Sequence, residues 1–192
     1  MKVEGLFKKI WKVISWVLVL LTALSFLLMI LPPSGVKEPS DAAAAKSFDQ
    51  KLNDLATARQ RGSPGEARLT ELEVNSKVQQ LFEGPPASGV TRLDGMSVHF
   101  ERDRIVSVLR IKFLFLPLYI TLGGQPGILD GHLQFAVKDV DLGRMPLPAS
   151  PISEALREKL LSPEGQEMTV MPDSITSLRV ENGELVIESK SR

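Results

Sequence analysis

From Val13 to Leu31 the chain carries no charged side chain, and no other stretch limits its folding options as strongly. Wound as a helix, this run spans roughly 28 Å, close to the hydrocarbon thickness of a bilayer. Lys2, Lys8, Lys9 and Lys12 precede it, and Trp11 and Trp16 lie near the same end, where indole rings favour the membrane interface. The lysine-rich end is expected in the cytoplasm. Residues 1–12 then form a cytoplasmic basic segment and residues 13–31 a single-pass transmembrane anchor, with the main domain extracytoplasmic. A cleaved signal peptide is the competing reading. Its apolar region is shorter and ends at a small-x-small site. Here the run stops at "LPPSG", and "DAAAA" at 41–45 is distant, so the anchor is the reading adopted.

Composition removes several function classes. Lys plus Arg and Asp plus Glu each number 23, for a net charge of zero. A broad nucleic-acid surface needs surplus positive charge, so nucleic acid is not an expected partner. Cysteine is absent, which excludes a disulfide framework, a thiol nucleophile and a zinc–cysteine site.

Beyond the anchor, residues 32–65 read as linker and stalk helix. Pro32 and Pro33 end the first helix. Ser40 or Asp41 can cap a second, in which Ala45, Phe48, Leu52 and Leu55 follow helical spacing. "RGSPGEA" breaks it. The next helix is well signed: Thr70 and Glu73 form a capping box, Leu69 and Val74 stand at the staple positions, and Leu72, Val78, Leu81 and Phe82 supply an apolar side. Gly84, Pro85 and Pro86 stop it.

From there the period becomes two. Met96, Val98 and Phe100 alternate with polar residues, as in a strand. "RD" at 102–103 can turn the chain. A second strand covers 105–116, continuing past Pro117 or splitting there, until "GGQPG" turns the chain. Another runs from Ile128 to Val140. Ser150 and Pro151 open a further helix, and Asn182-Gly183 supplies a tight hairpin turn near the C-terminus. The connections are too short for helical crossovers, so residues 66–192 are expected as an α+β domain with a mostly antiparallel sheet.

The segment 113–122, "FLFLPLYITL", does not alternate. Its neighbours have one wet face, but this stretch is apolar on both. Three environments fit it: a central strand covered on both faces, the wall of a cavity for acyl chains, or an exposed patch. Few apolar helices are available to cover a long sheet, which favours a curved sheet wrapped around one or two amphipathic helices.

Two segments carry a family resemblance. "FAVKDVDLGRMPLPASPISEALREKL" (135–160) reads as strand, Gly/Pro loop and amphipathic helix, and "ITSLRVENGELVIES" (175–189) as a closing hairpin. With "LTELEVN" (69–75), this order resembles the bacterial LmeA-like and YpmS-like envelope proteins of the SMP-like, tubular lipid-binding class. The resemblance covers about residues 66–190 and rests on pattern and order. It implies a location on the periplasmic or cell-wall side of the cytoplasmic membrane, a phospholipid-type ligand and no enzyme activity. Carried over by position, the groove is lined by Leu109, Ile111, Phe113, Phe115, Leu118, Ile120, Leu133, Phe135 and Val137, faced by Ile152, Leu156 and Leu160. Such a site needs concave apolar surface with a few polar groups at its mouth. Arg144 is placed to meet a lipid phosphate, although a solvated loop arginine is the plainer reading. The same fold with a filled core and no ligand, serving as an envelope interaction protein, is the alternative.

Catalytic chemistry is poorly signed. His99 and His132 lack helical i, i+4 spacing for a metal, and no cofactor is implied. Asp139 and Asp141 read as a solvated strand end. Ser97 or Ser107 with His99 and Asp103 has the atoms of a triad without a nucleophile elbow. "GGQPG" lacks the helix and the basic residue of a phosphate loop.

Overall fold

The computed structural model describes residues 2–34, 40–80, 82, 91–114, 116–162, 166, 169–172 and 174–191, without the side chains of 2–10, 12, 13, 91, 156 and 159–161. Helix α1 (Lys2–Ile30) is followed by α2 (Ala42–Gln60), β1 (Gly65–Thr70) and α3 (Glu71–Gln80). A meander of β2 (Thr91–Glu101), β3 (Arg104–Phe113), β4 (Leu116–Leu129), β5 (His132–Leu142) and β6 (Met145–Leu147) comes next. Helix α4 (Ala149–Leu161) and the hairpin β7 (Ile175–Glu181) and β8 (Glu184–Ser189) complete the order. The meander is a five-stranded antiparallel sheet, and β1-β8-β7 form a second sheet of three strands. The chain is therefore α+β with antiparallel sheets. Among the described residues, no helix is long and apolar enough to cross a membrane; the uninterrupted described side chains of α1 begin at Ile14.

Two-residue turns explain hairpins in both sheets. Asn182 and Gly183 have φ of 53° and 80°, the pair of positive angles a type I′ hairpin needs. Asp130 and Gly131 do the same between β4 and β5, at 52° and 78°. This corrects the expectation that "GGQPG" turns the chain and that a strand begins at Ile128. Gly123 to Gly127 lie inside β4, with a bulge between Gly123 and Gly124. Glycine is needed there for close approach: a Cβ on Gly124 would stand 2.5 Å from the Ala136 carbonyl oxygen and 2.8 Å from the Phe135 ring. The 105–116 stretch splits before Pro117, at Leu114, whose φ is 55°.

Helix α2 packs on α3 and β1 through its narrow apolar stripe. Asp41 caps it, Oδ1 accepting from the Ala43 amide at 2.8 Å, and Ala44, Ala45 and Leu55 are buried. Its Ser47 hydroxyl and Lys51 ammonium both donate to Glu73, at 2.5 and 2.8 Å. The capping box forms as its spacing implies: the Glu73 amide donates to Thr70 Oγ1 and the Thr70 amide to Glu73 Oε2. Burial of the Glu73 carboxyl raises its pKa, but hydrogen bonds from Lys51, Ser47 and Thr70 outweigh burial and bring it to about 2.

The most buried side chains of α3 are polar: Glu73, Asn75 and Ser76. Of the expected apolar side, Val78 and Phe82 are half-buried while Leu72 is exposed; Leu81 lies outside the described residues. The reason is the free edge of β2. Glu71 Oε2 accepts from the Phe100 amide, Asn75 both accepts from the Val98 amide and donates to the Val98 carbonyl, and Gln79 donates to the Met96 carbonyl. Four residues of helix rise about 6 Å and two residues of strand about 6.7 Å. Side chains at i, i+4 and i+8 can therefore serve alternate residues of an antiparallel strand. The helix thus closes an edge that would otherwise be open to pairing with another chain.

The end of α1 is held by the β5–β6 turn. The Arg144 amide donates to the Leu28 carbonyl and its guanidinium Nε to the Pro32 carbonyl, both at 2.9 Å. The Gly143 amide donates to the Tyr119 carbonyl at 2.7 Å. Arginine at this position supplies donors and positive charge to the last carbonyls of a helix. Gly143 has φ of 63°, and a Cβ there would stand 2.3 Å from the Leu28 carbonyl oxygen. Gly143→Ala is therefore expected to open the junction, and hydrogen exchange at the Arg144 amide should accelerate by roughly tenfold or more. An unchanged rate would show that the junction does not depend on this close approach.

Candidate functional site

Register and alternation place the groove candidates of the meander on one face, while Val106 and the buried Val108 take the other. Ile111 stands opposite Leu93 and Leu118, and Leu109 opposite Met96 and Ile120. The bulge shifts β5 by one residue, so that Leu133, Phe135 and Val137, opposite Ile128, Pro126 and Gly124, join the same face. Leu109, Ile111, Phe113, Leu118, Ile120, Leu133, Phe135 and Val137 thus share one apolar surface. Phe115 lies outside the described residues.

This surface is covered unequally. At the β2–β3 turn end, Val98 and Phe100 are buried with Val180 of β7 and packed by Val74, Met96, Ile105 and Leu185. Towards the other end, Leu109, Ile111, Leu118 and Ile120 are only half-buried, and Phe113 is 43% exposed. Along β5 runs a cleft of about 720 Å³, within the roughly 300–1,000 Å³ of small-molecule sites; both faces of the strand line it, Gln134 and Ala136 from one and Leu133, Phe135 and Val137 from the other. Leu133, Phe135 and Val137 line it together with Ser153, Glu154 and Arg157 of α4, and Asp130 and His132 contribute polar groups from the start of β5.

Three of the groove residues expected from the sequence therefore line the cleft. Leu109, Ile111, Leu118 and Ile120 share the sheet face of these three but do not line the cleft. From α4, Ile152 is half-buried and is not a lining residue; the side chains of Leu156 and Leu160 are not among those described. The helix turns Ser153, Glu154 and Arg157 to the cleft instead. Their i, i+1 and i+4 spacing was the available signal, but in sequence it resembles an ordinary wet face. Arg157 is the cation at the mouth, whereas Arg144 is committed to the end of α1.

No catalytic arrangement is assembled among the described residues. His99 Nδ1 lies 3.0 Å from Glu71 Oε1, while the Asp103 carboxylate accepts from Gln125. Ser97 Oγ is buried without a hydrogen-bond partner among the described residues. Asp139 pairs with Arg104, which argues against a free acid/base pair with Asp141. His132 is near Thr169, Nδ1 to Oγ1 3.4 Å, and no group of three or more His, Asp or Glu among the described residues could hold a metal ion. Compared with known proteins, the chain matches no protein-family model, no curated protein and no solved structure.

Proposed function

We propose that this is a membrane-anchored, extracytoplasmic lipid-binding protein of the SMP-like, tubular lipid-binding kind, which holds or passes on acyl chains along the apolar face of its five-stranded sheet. The observation that carries the reading is the incompletely covered apolar face of the sheet, three of whose residues, Leu133, Phe135 and Val137, also line the cleft beside α4. Acyl chains need only dispersion and exclusion from water, which Leu133, Phe135 and Val137 supply. A headgroup needs polar partners at the mouth, where Arg157 and His132 stand. In this reading the sheet curves about its ligand and α4, with no enzymatic step. The anchor is residues 13–31. Support for it comes from the charge-free run and from apolar side chains of α1 that are largely exposed: Trp16 and Leu20 are each 66% exposed and Val19 61%. Such a surface on a helix belongs in lipid.

The test is native mass spectrometry with lipid extraction on fragment 36–192, purified without detergent from a bacterial host. Co-purifying phospholipid is expected. Phe135→Glu should reduce it by roughly tenfold or more in folded protein, because a carboxylate on the apolar floor is desolvated without a partner. Protein that arrives empty and takes up no added lipid would overturn lipid binding and leave an envelope interaction protein with a filled core.

A further inference from the structure

The β3–β4 hairpin has an unusual tip. Phe113 is 43% exposed, Leu114 59%, and Leu93, on the adjoining strand, 46%. Leu114 turns the chain with φ of 55°, a conformation that suits Gly or Asn and disfavours leucine. Turn chemistry alone would thus select a different residue. Below the tip, Arg92 and Lys112 stand directly opposite each other across β2 and β3, and like charges in that position repel. Arg92 is balanced by Asp94, Nε to Oδ1 2.6 Å. Arg110 donates to the Asp94 carbonyl. Lys112 has no hydrogen-bond or ion-pair partner among the described residues. Leucine and phenylalanine at the point, with arginine and lysine behind them, suit the boundary between acyl chains and anionic headgroups.

The tip lies at the same end of the sheet as the exit of α1. Tyr119 holds Gly143, and the next residue, Arg144, holds Leu28. From Tyr119, β4 runs back three residues to Leu116 at the tip, about 10 Å. Given an anchor at 13–31, on which this inference rests, we propose that the β3–β4 hairpin is a second membrane contact: Phe113, Leu114 and Leu93 enter the same bilayer, and Lys112 with Arg92 meets anionic phospholipid phosphates. The domain is then held at two points. Its orientation is fixed relative to the bilayer, and the apolar sheet face reaches the membrane from which a lipid would come.

The absence of cysteine allows a clean test on the full chain. Leu114→Cys and, as control, Asn182→Cys at the far β7–β8 turn are labelled with an environment-sensitive fluorophore. Each is reconstituted in vesicles of phosphatidylethanolamine and phosphatidylglycerol containing a doxyl-lipid quencher. Flotation comes first. A chain that does not float overturns the anchor reading and the hairpin contact with it. For a chain that floats, the label at 114 should be quenched roughly threefold more than that at 182, as expected for a side chain within the headgroup boundary. Equal quenching at the two positions overturns the hairpin contact and leaves the anchor standing. Replacing phosphatidylglycerol by phosphatidylcholine, or Lys112→Glu, should weaken insertion about fivefold per charge lost. Insertion indifferent to both would overturn the role of the anionic headgroups.

Discussion

Asn75→Ala is expected to cost about 3 kcal/mol of stability, although the side chain removed is polar and sits on a helix. Asn75 is fully buried. Its amide donates to the Val98 carbonyl and accepts from the Val98 amide, both at 2.7 Å. Truncation leaves both backbone groups of Val98 without partners beside the core residue Phe100, and no side chain nearby can replace an amide that donates and accepts at once. Gln79→Ala removes a single, part-buried bond to Met96 and should cost about 1 kcal/mol. Urea titration followed by circular dichroism measures both. Equal and small losses would mean that α3 is held by its apolar contacts and that the edge of β2 does not depend on it.

The second large effect is acid sensitivity centred on Glu73. Its folded pKa, about 2, lies below the ordinary value of 4.5. A depressed carboxyl contributes stability that is full above pH 4.5 and is lost as the pH falls from there through about 2. The Glu73 side chain is 8% exposed but that of its partner Lys51 36%, so solvent screens part of the interaction and the contribution is about 1–2 kcal/mol. The loss has a structural meaning: protonation weakens the bonds from Ser47 and Lys51 together with the cap at Thr70, so α2 loosens from α3. Glu73→Gln should be less stable at neutral pH and should lose less on acidification between pH 5 and 2. A variant whose acid profile parallels that of the parent chain would show that other carboxylates govern the transition.

Local signals in the sequence were legible because the interactions they encode span a few residues. The Thr70–Glu73 capping box, the Asp41 cap and the Asn182-Gly183 turn each close within one turn of chain. Strand alternation also foretold that Leu109, Ile111 and Phe113 share a face. Where two local signals compete, composition misleads: "GGQPG" resembles a turn, but Asp130-Gly131, the stronger hairpin pair, makes it. The glycines are there for the Phe135 ring and for a bulge, both of which depend on the neighbouring strand.

The sequence by itself determined the charge-free N-terminal run, the α+β class and the apolar residues that share one face of the sheet. Only the tertiary structure decided what Asn75 is for, which side of α3 is buried, that Arg144 holds the end of α1, and that Arg157 stands at the mouth of the cleft. The physical reason is the same in each case. A polar side chain in sequence is compatible with water or with a buried partner, and which one it meets depends on backbone groups brought to it from 20 or more residues away, as Val98 is to Asn75 and Leu28 to Arg144.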